Sequence, residues 1–424
     1  MRISAGITTL ATLLPTLALA GPTKQDQLPK VDLGYEIYRA NSLNDTTGLY
    51  SFSNIRYAAP PTGKNRFNAP QPPAQNRSTV QFNRSEPVCP QANPLWNLVA
   101  QEFLISYFAG VRQFNQSDFD TGLPAGITVN DINLNTFNTS IIPAVDPRTT
   151  EDCLFLDVVV PQKIFKKKAK KGKGAAVLVW IYGGGYTAGS KTGGYDPTGL
   201  LARSQNGADD DGVIYVALNY RLGAFGWLSG PTFQENGTAN AGLHDQRFAL
   251  EWIQKHISKF GGDPDRVTVF GESAGGGSIM AQITAYGGLK GSVPFAQAIP
   301  QSPGFVPVAS SHLQEQTFQD YIRLLNVSSI EEARNLSTAK LQLANAITVG
   351  LAGYGGFAYG PVVDGDFTPA LPGQLLARGQ FDKKVKVMVG HNANEVSGIT
   401  MFHNPSIRTK TNTFSGPPLH SPVH

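Results

Sequence analysis

The chain has 424 residues, of which 45 are Gly and 29 are Pro, so about one residue in six breaks regular structure, above the usual share of roughly one in eight. With 41% hydrophobic and 16% charged residues it can bury a sizeable core, and intrinsic disorder is excluded. The formal charge of +4 is local, because six lysines stand in "KKKAKKGKG" at 166–174 and the rest of the chain sums to −2; neither a nucleic-acid nor a membrane-surface role is supported.

In chain order, the first element is a targeting segment. Arg2 precedes an apolar run from Ile7 to Leu19, and Ala18-Leu19-Ala20 is a small-residue cleavage site, so residues 1–20 are expected to be a secretory signal peptide. The run is shorter than the ~20 apolar residues a membrane span needs, and no later stretch is long enough. Export agrees with eight Asn-x-Ser/Thr sequons, at Asn44, Asn76, Asn83, Asn115, Asn138, Asn236, Asn326 and Asn335. It also agrees with two cysteines, Cys89 and Cys153, the smallest number that can pair in an oxidising compartment. A bridge between them would close about 65 residues, a constraint of roughly 4 kcal/mol in the chain-entropy account.

Residues 90–152 are long, polar and Asn-rich, with an apolar patch at Phe103 to Phe108, and suggest a surface excursion pinned at its base. The lysine-rich run follows as a solvated loop. "AVLVWIY" at 176–182 is a continuous apolar run ending in Gly183-Gly184-Gly185, as expected of a strand buried on both faces of a parallel sheet, and "VIYVALN" at 213–219 repeats it. Over 244–260, Phe248, Trp252 and His256 share one helical stripe with Ala249, Ile253, Ile257 and Phe260, which predicts an amphipathic crossover helix. A turn at "GGDPD" then leads into the strand "RVTVF" at 266–270, and "GESAGGG" into a helix from about Ala274. "KVKVMVG" at 384–390 reads as a further strand. Strands and helices in this order make a mostly parallel α/β sheet with helices on both faces, one unit despite its length.

Gly271-Glu272-Ser273-Ala274-Gly275 fits the nucleophile elbow, in which flanking glycines let strand and helix approach while a strained turn presents the hydroxyl. The pattern alone arises by chance in about 0.3 of chains of this composition; its place between a buried strand and a helix is what gives it weight. Attack on an ester also needs donors for the oxyanion, and the backbone N–H groups of the glycine run after the first strand can supply them, helped by the N-terminus of the helix at Ala274.

These blocks resemble the type-B carboxylesterase and lipase family of the α/β-hydrolase fold, which also contains the cholinesterases, and are closest to its secreted fungal branch. The likeness runs from "NIRYAAPPTGKNRFNAPQPP" at 54 through "EDCLFLDV" at 151 and the glycine, elbow and "PVVDG" segments to "VMVGHNANE", so residues 21–406 are read as the hydrolase domain. The resemblance implies Ser273 as nucleophile and the amides of Gly184, Gly185 and Ala274 as oxyanion hole. It implies Glu395 as triad acid and a Cys89–Cys153 disulfide beside the gorge mouth. The substrate implied is a small-molecule or lipid ester, with no metal or organic cofactor.

The family's catalytic His stands farther beyond its acid than the 29 residues that follow Glu395 here. Residues 407–424 carry no family block and read as an altered frame or retained intron would, so the C-terminal part of the fold is expected to be missing. None of His244, His256, His312, His391, His403, His420 or His424 fits as its substitute. The expectation is a secreted carboxylic ester hydrolase impaired for want of that His. The other class considered, a non-catalytic cholinesterase-like binding or adhesion module, is disfavoured because Ser273 is kept.

Overall fold

The computed structural model describes residues 27–82, 85–97, 110–111, 127–167, 174–207, 212–304, 307–353, 355–393 and 395. The expected signal peptide, the apolar patch at 103–108, sequons Asn83 and Asn115, His403, His420 and His424, and the tail at 407–424 lie outside these residues.

Two sheets form. Lys30–Asp32 (β1), Glu36–Arg39 (β2) and Asn76–Gln81 (β5) make a small one in the order β1-β2-β5. The main sheet holds Ser42–Asn44 (β3), Leu49–Arg56 (β4), Phe155–Pro161 (β6), Ala175–Ile181 (β7), Ile214–Leu218 (β8), Gly262–Glu272 (β9), Gln297–Gln301 (β10) and Lys386–Val387 (β11). Its order is β11-β10-β9-β7-β8-β6-β4-β3. The pairs β11/β10, β10/β9, β9/β7 and β7/β8 are parallel, and β8/β6, β6/β4 and β4/β3 are antiparallel.

The parallel centre follows from the sequence: β8 is buried at all five positions, Ile214 to Leu218, and in β7 Val177, Val179, Trp180 and Ile181 are buried. Strands without a polar face are covered on both sides. After β7 the chain goes to β8 on one side and returns to β9 on the other, so winding reverses at β7. Open α/β sheets bind ligands at such a switch point, outside the carboxyl ends of the strands. Those ends are Ile181 and Gly271, paired directly across β7 and β9.

The crossover from β8 to β9 is Ala241–His256 (α1). It ends four residues earlier than the sequence predicts, because Ile257–Phe260 tightens into a 3-10 turn that Gly261 closes at φ +95°. The stripe is buried as expected at Ala249, Trp252, Ile253, His256, Ile257 and Phe260, and half-buried at Phe248. Instead of a turn at "GGDPD", the strand already starts at Gly262, paired with Ala175. The elbow helix is Ala274–Ile283 (α2), held to α1 by Gln246 Nε2 donating to Ser278 Oγ at 2.9 Å. Ser311–Leu325 (α3) and Thr338–Gly350 (α4) pack together farther along. The strand expected at 384–390 is paired only at Lys386 and Val387, with one further bridge from Gly390 to Gln301.

Two bonded charges brace the core. Arg221 and Asp245, both buried, meet in a bidentate pair at 2.7 and 2.8 Å that ties the loop after β8 to α1. Cys89 and Cys153 are disulfide-bonded, as expected, and Val88 bridges Thr149 alongside, so the base of the intervening excursion is closed twice. Among the described residues no helix is long and apolar enough to cross a membrane.

Candidate active site

Ser273 stands between β9 and α2 at φ 57° and ψ −121°, a backbone conformation that costs an L-residue energy and persists only where neighbours impose it. Its neighbours do. The Ser273 amide donates to the Gln301 carbonyl at 3.0 Å, and its own carbonyl accepts from Gly277 at 2.9 Å and Gly304 at 3.0 Å. β10 and the first turn of α2 therefore hold the residue on both sides. α2 lies so close to β7 that a Cβ on Gly275 would stand 2.1 Å from the Ile181 carbonyl oxygen. Close approach is the reason glycine is required there.

The loop after β7 lies against the elbow, since a Cβ on Gly183 would come within 3.0 Å of the Ser273 Cβ. Gly184 adopts φ +100°, open only to glycine, and its carbonyl closes a turn by accepting from Thr187 and Ala188. Among the described residues the amides of Gly184, Gly185 and Ala274 donate to no protein group. Phe357 covers Gly185, and Trp96 packs edge-on against Phe357 at 5.6 Å. Tyr186, at φ 64°, reaches across to donate from its hydroxyl to the Gly304 carbonyl at 2.9 Å, joining the glycine loop to the segment after β10.

Glu395 is exposed beyond β11. Its Oε1 accepts from the Ser302 hydroxyl and from the Asn392 amide, each at 2.5 Å. The Ser302 bond foremost, then the Asn392 amide, holds its carboxyl below the usual carboxylate range, with His391 adding to the effect. Burial pushes Glu272 the other way, and the charge on Glu395 raises it further. The two acids flanking the elbow thus have opposed environments.

Of the described histidines, His244, His256 and His312 stand away from Ser273, and His391 lies near Glu395 without a hydrogen bond to it. His244 packs on Phe367 at 4.8 Å, and His256 on Trp252 at 5.1 Å; burial lowers both to about 4. His312 is exposed on α3. His391 turns Nδ1 to the Asn392 carbonyl at 2.9 Å. Among the described residues none hydrogen-bonds to Ser273 or Glu395. The sequence reading did not find Ser302, Gly304, Tyr186 or Phe357, which come from three loops, after β10, after β7 and between α4 and β11, and carry no motif.

A doubly wound sheet with a serine elbow at its switch point defines the α/β-hydrolase fold. The chain belongs to the carboxylesterase family, whose sequence profile matches residues 39–416. It is 44% identical over 386 residues to carboxylesterase patB of Penicillium expansum, covering 87% of this chain and 65% of that protein. It is 31% identical over 410 residues to the secreted triacylglycerol lipase LIP1 of Gibberella zeae, covering 93% and 62%. The crystal structure of Aspergillus niger EstA superposes with a TM-score of 0.64 at 28% identity, covering 85% of this chain and 59% of that one. The chain thus spans about three-fifths to two-thirds of the length of these relatives.

Proposed function

We propose that this chain carries the nucleophile and oxyanion centre of a secreted carboxylic ester hydrolase that works through an acyl-enzyme. The observation that carries the reading is Ser273 held at φ 57° between β9 and α2, beside three amides that donate to no protein group among the described residues. Ser273 Oγ attacks the ester carbonyl, and the Gly184, Gly185 and Ala274 amides take the negative charge that develops on oxygen. One such donor typically contributes about 3 kcal/mol to transition-state stabilisation. Glu395 is the acid for a general-base His that none of the described residues supplies; that base takes the Ser273 proton during attack and gives it to the departing alcohol. The acyl group then passes to water.

Family membership and the secreted lipase among the relatives support an ester substrate and export. So do the disulfide and the exposure of the six described sequon asparagines, Asn44, Asn76, Asn138, Asn236, Asn326 and Asn335. Retention of the elbow serine favours this reading over a binding or adhesion module.

A fluorophosphonate probe tests it. Labelling is expected at Ser273, slowly, because among the described residues no histidine takes the proton, and loss of a triad partner typically costs 10⁴- to 10⁶-fold. Ser273→Ala abolishes labelling, and His391→Ala leaves its rate unchanged. Attachment elsewhere, with Ser273 unmodified, rejects the nucleophile.

A further inference from the structure

Beside the glycine loop lies a cavity of about 380 Å³ that neither Ser273 nor Gly183–Gly185 lines. Its floor is Gly189, Ser190 and Gly193, just past the oxyanion loop. Its walls are the two ends of the disulfide-closed segment, residues 88–95 and 137–149, and the last two turns of α4. Leu95, Phe137, Ile142, Val145, Ile347 and Leu351 make most of this surface apolar. At ~30 Å³ for each water-sized group, the space takes roughly a dozen non-hydrogen atoms, within the range of small-molecule sites.

The polar groups restrict what can enter. Among the described lining residues Arg148 is the one cation, and it is already paired with Asp146 at 2.7 Å and Glu86 at 3.3 Å. An anionic ligand would meet the Asp146 carboxylate in the lining, and a cationic one would compete with Arg148 for it. Gln91 differs. Its Oε1 accepts from the Gly189 amide at 2.9 Å, and its NH₂ donates to no described residue, which leaves a donor for a ligand oxygen.

The same contact links the cavity to the reacting loop. Besides the Gln91–Gly189 bond, the Ala92 amide donates to the Thr187 carbonyl at 2.9 Å, so two hydrogen bonds join the cavity wall to the stretch carrying the oxyanion amides. A Cβ on Gly189 would lie 2.8 Å from the Gly183 carbonyl oxygen, and Gly183 abuts Ser273.

We propose that this cavity binds a neutral, largely apolar small molecule bearing one acceptor oxygen, such as an aromatic or medium-chain ester, ketone or alcohol, and that filling it fixes the geometry of the Gly184 and Gly185 amides. The binding half stands without the proposed chemistry, whereas the coupling half rests on Ser273 as nucleophile. Coupling between sites is typically 5- to 150-fold.

2-Naphthol is a suitable probe, uncharged at pH 7 and of the right size, with 2-naphthoate as the charged control. Calorimetry on the full chain, and on chain already labelled with fluorophosphonate, should show one naphthol site in both and at least tenfold weaker binding of naphthoate. Ala346→Trp on α4, or Val145→Trp from the exposed opposite wall, should weaken naphthol binding at least tenfold; either suffices if the other fails to fold. Saturating naphthol should change the rate of Ser273 labelling at least fivefold, and Val145→Trp should remove that dependence. Absence of a saturable site, or naphthol binding as tight in both folded tryptophan variants as in the parent, overturns the site. Binding without any change in labelling rate overturns the coupling. Naphthol binding with no labelling of Ser273 at all would instead fail the nucleophile and leave the site standing.

Discussion

The Ser302 hydroxyl donates to Glu395 Oε1 at 2.5 Å, joining the residue after β10 to the acid beyond β11. Ser302 reaches it because its backbone is held at φ 42°, with its amide donating to the Gly390 carbonyl at 2.7 Å. A hydrogen bond to the ionised form favours ionisation. Ser302→Ala is therefore expected to raise the Glu395 pKa toward the ordinary range, and any property that needs the Glu395 carboxylate fails at higher pH than in the parent. Carbon NMR titration of the Glu395 carboxyl checks the direction. An unshifted titration would mean that the Asn392 amide alone sets the value.

Gly275→Ala tests the elbow. On an ordinary helix Ala stabilises over Gly by up to about 1 kcal/mol. Here the new methyl meets the Ile181 carbonyl at 2.1 Å, a backbone atom that cannot move without shifting β7. The clash prevails. The variant should lose about 1–3 kcal/mol in urea unfolding, the usual cost of overpacking, and its Ser273 should label more slowly. A gain in stability would show that β7 and α2 stand farther apart.

How much of this was legible follows from where the information sits. The strands at 176, 213 and 266 announced themselves because burial on both faces removes polar residues from a run, and the elbow because its glycines are fixed by contact. β9 began early because Ala175 donates to the Gly261 carbonyl at 2.9 Å, a pairing across strands that no local pattern carries. Edge strand β11 is short because pairing needs a neighbour. Lys386 and Met388 donate to Ala296 and Ala298 on one side, while Val387, Met388 and Val389 stay exposed. The small β1-β2-β5 sheet lay below the reach of periodicity, since its strands are three to six residues long. Ser302, Tyr186 and Gly304 were invisible for a different reason. Tyr186 after β7 and Ser302 and Gly304 after β10 converge on Ser273 and Glu395 from two loops far apart in sequence, and convergence is a property of the fold.

The disulfide should contribute to stability chiefly through the unfolded chain. Cys89 and Cys153 are 64 residues apart, both fully buried, and the loop they close forms part of the cavity wall. The chain-entropy account assigns such a loop roughly 4 kcal/mol. Cys89→Ser/Cys153→Ser is expected to lose about that amount in reversible denaturation, and naphthol binding should weaken with it. Peptide mapping without reduction should recover the bridged pair, and two free thiols in freshly prepared protein would reject it.

The last expectation concerns acid. His256 is 4% exposed, tilted against Trp252 and edge-on to Tyr35, and its Nδ1 is buried without a partner. It ends α1, where the helix dipole favours a cation. Burial outweighs that, and with Lys255 and Lys259 nearby the native pKa falls to about 4. Unfolded, the group titrates near 6.5. Between these values the unfolded chain binds more protons than the folded one, so stability falls as pH drops from about 6.5 toward 4. His256 should account for on the order of 2 kcal/mol of that fall, and His244, also lowered to about 4, adds in the same direction. His256→Phe keeps a ring in place and removes the titration. Melting temperatures of parent and variant should lie close together at pH 7.5 and diverge by pH 4.5, the variant being the more stable. Parallel curves over that range would show that the native imidazole takes up its proton as readily as the unfolded one.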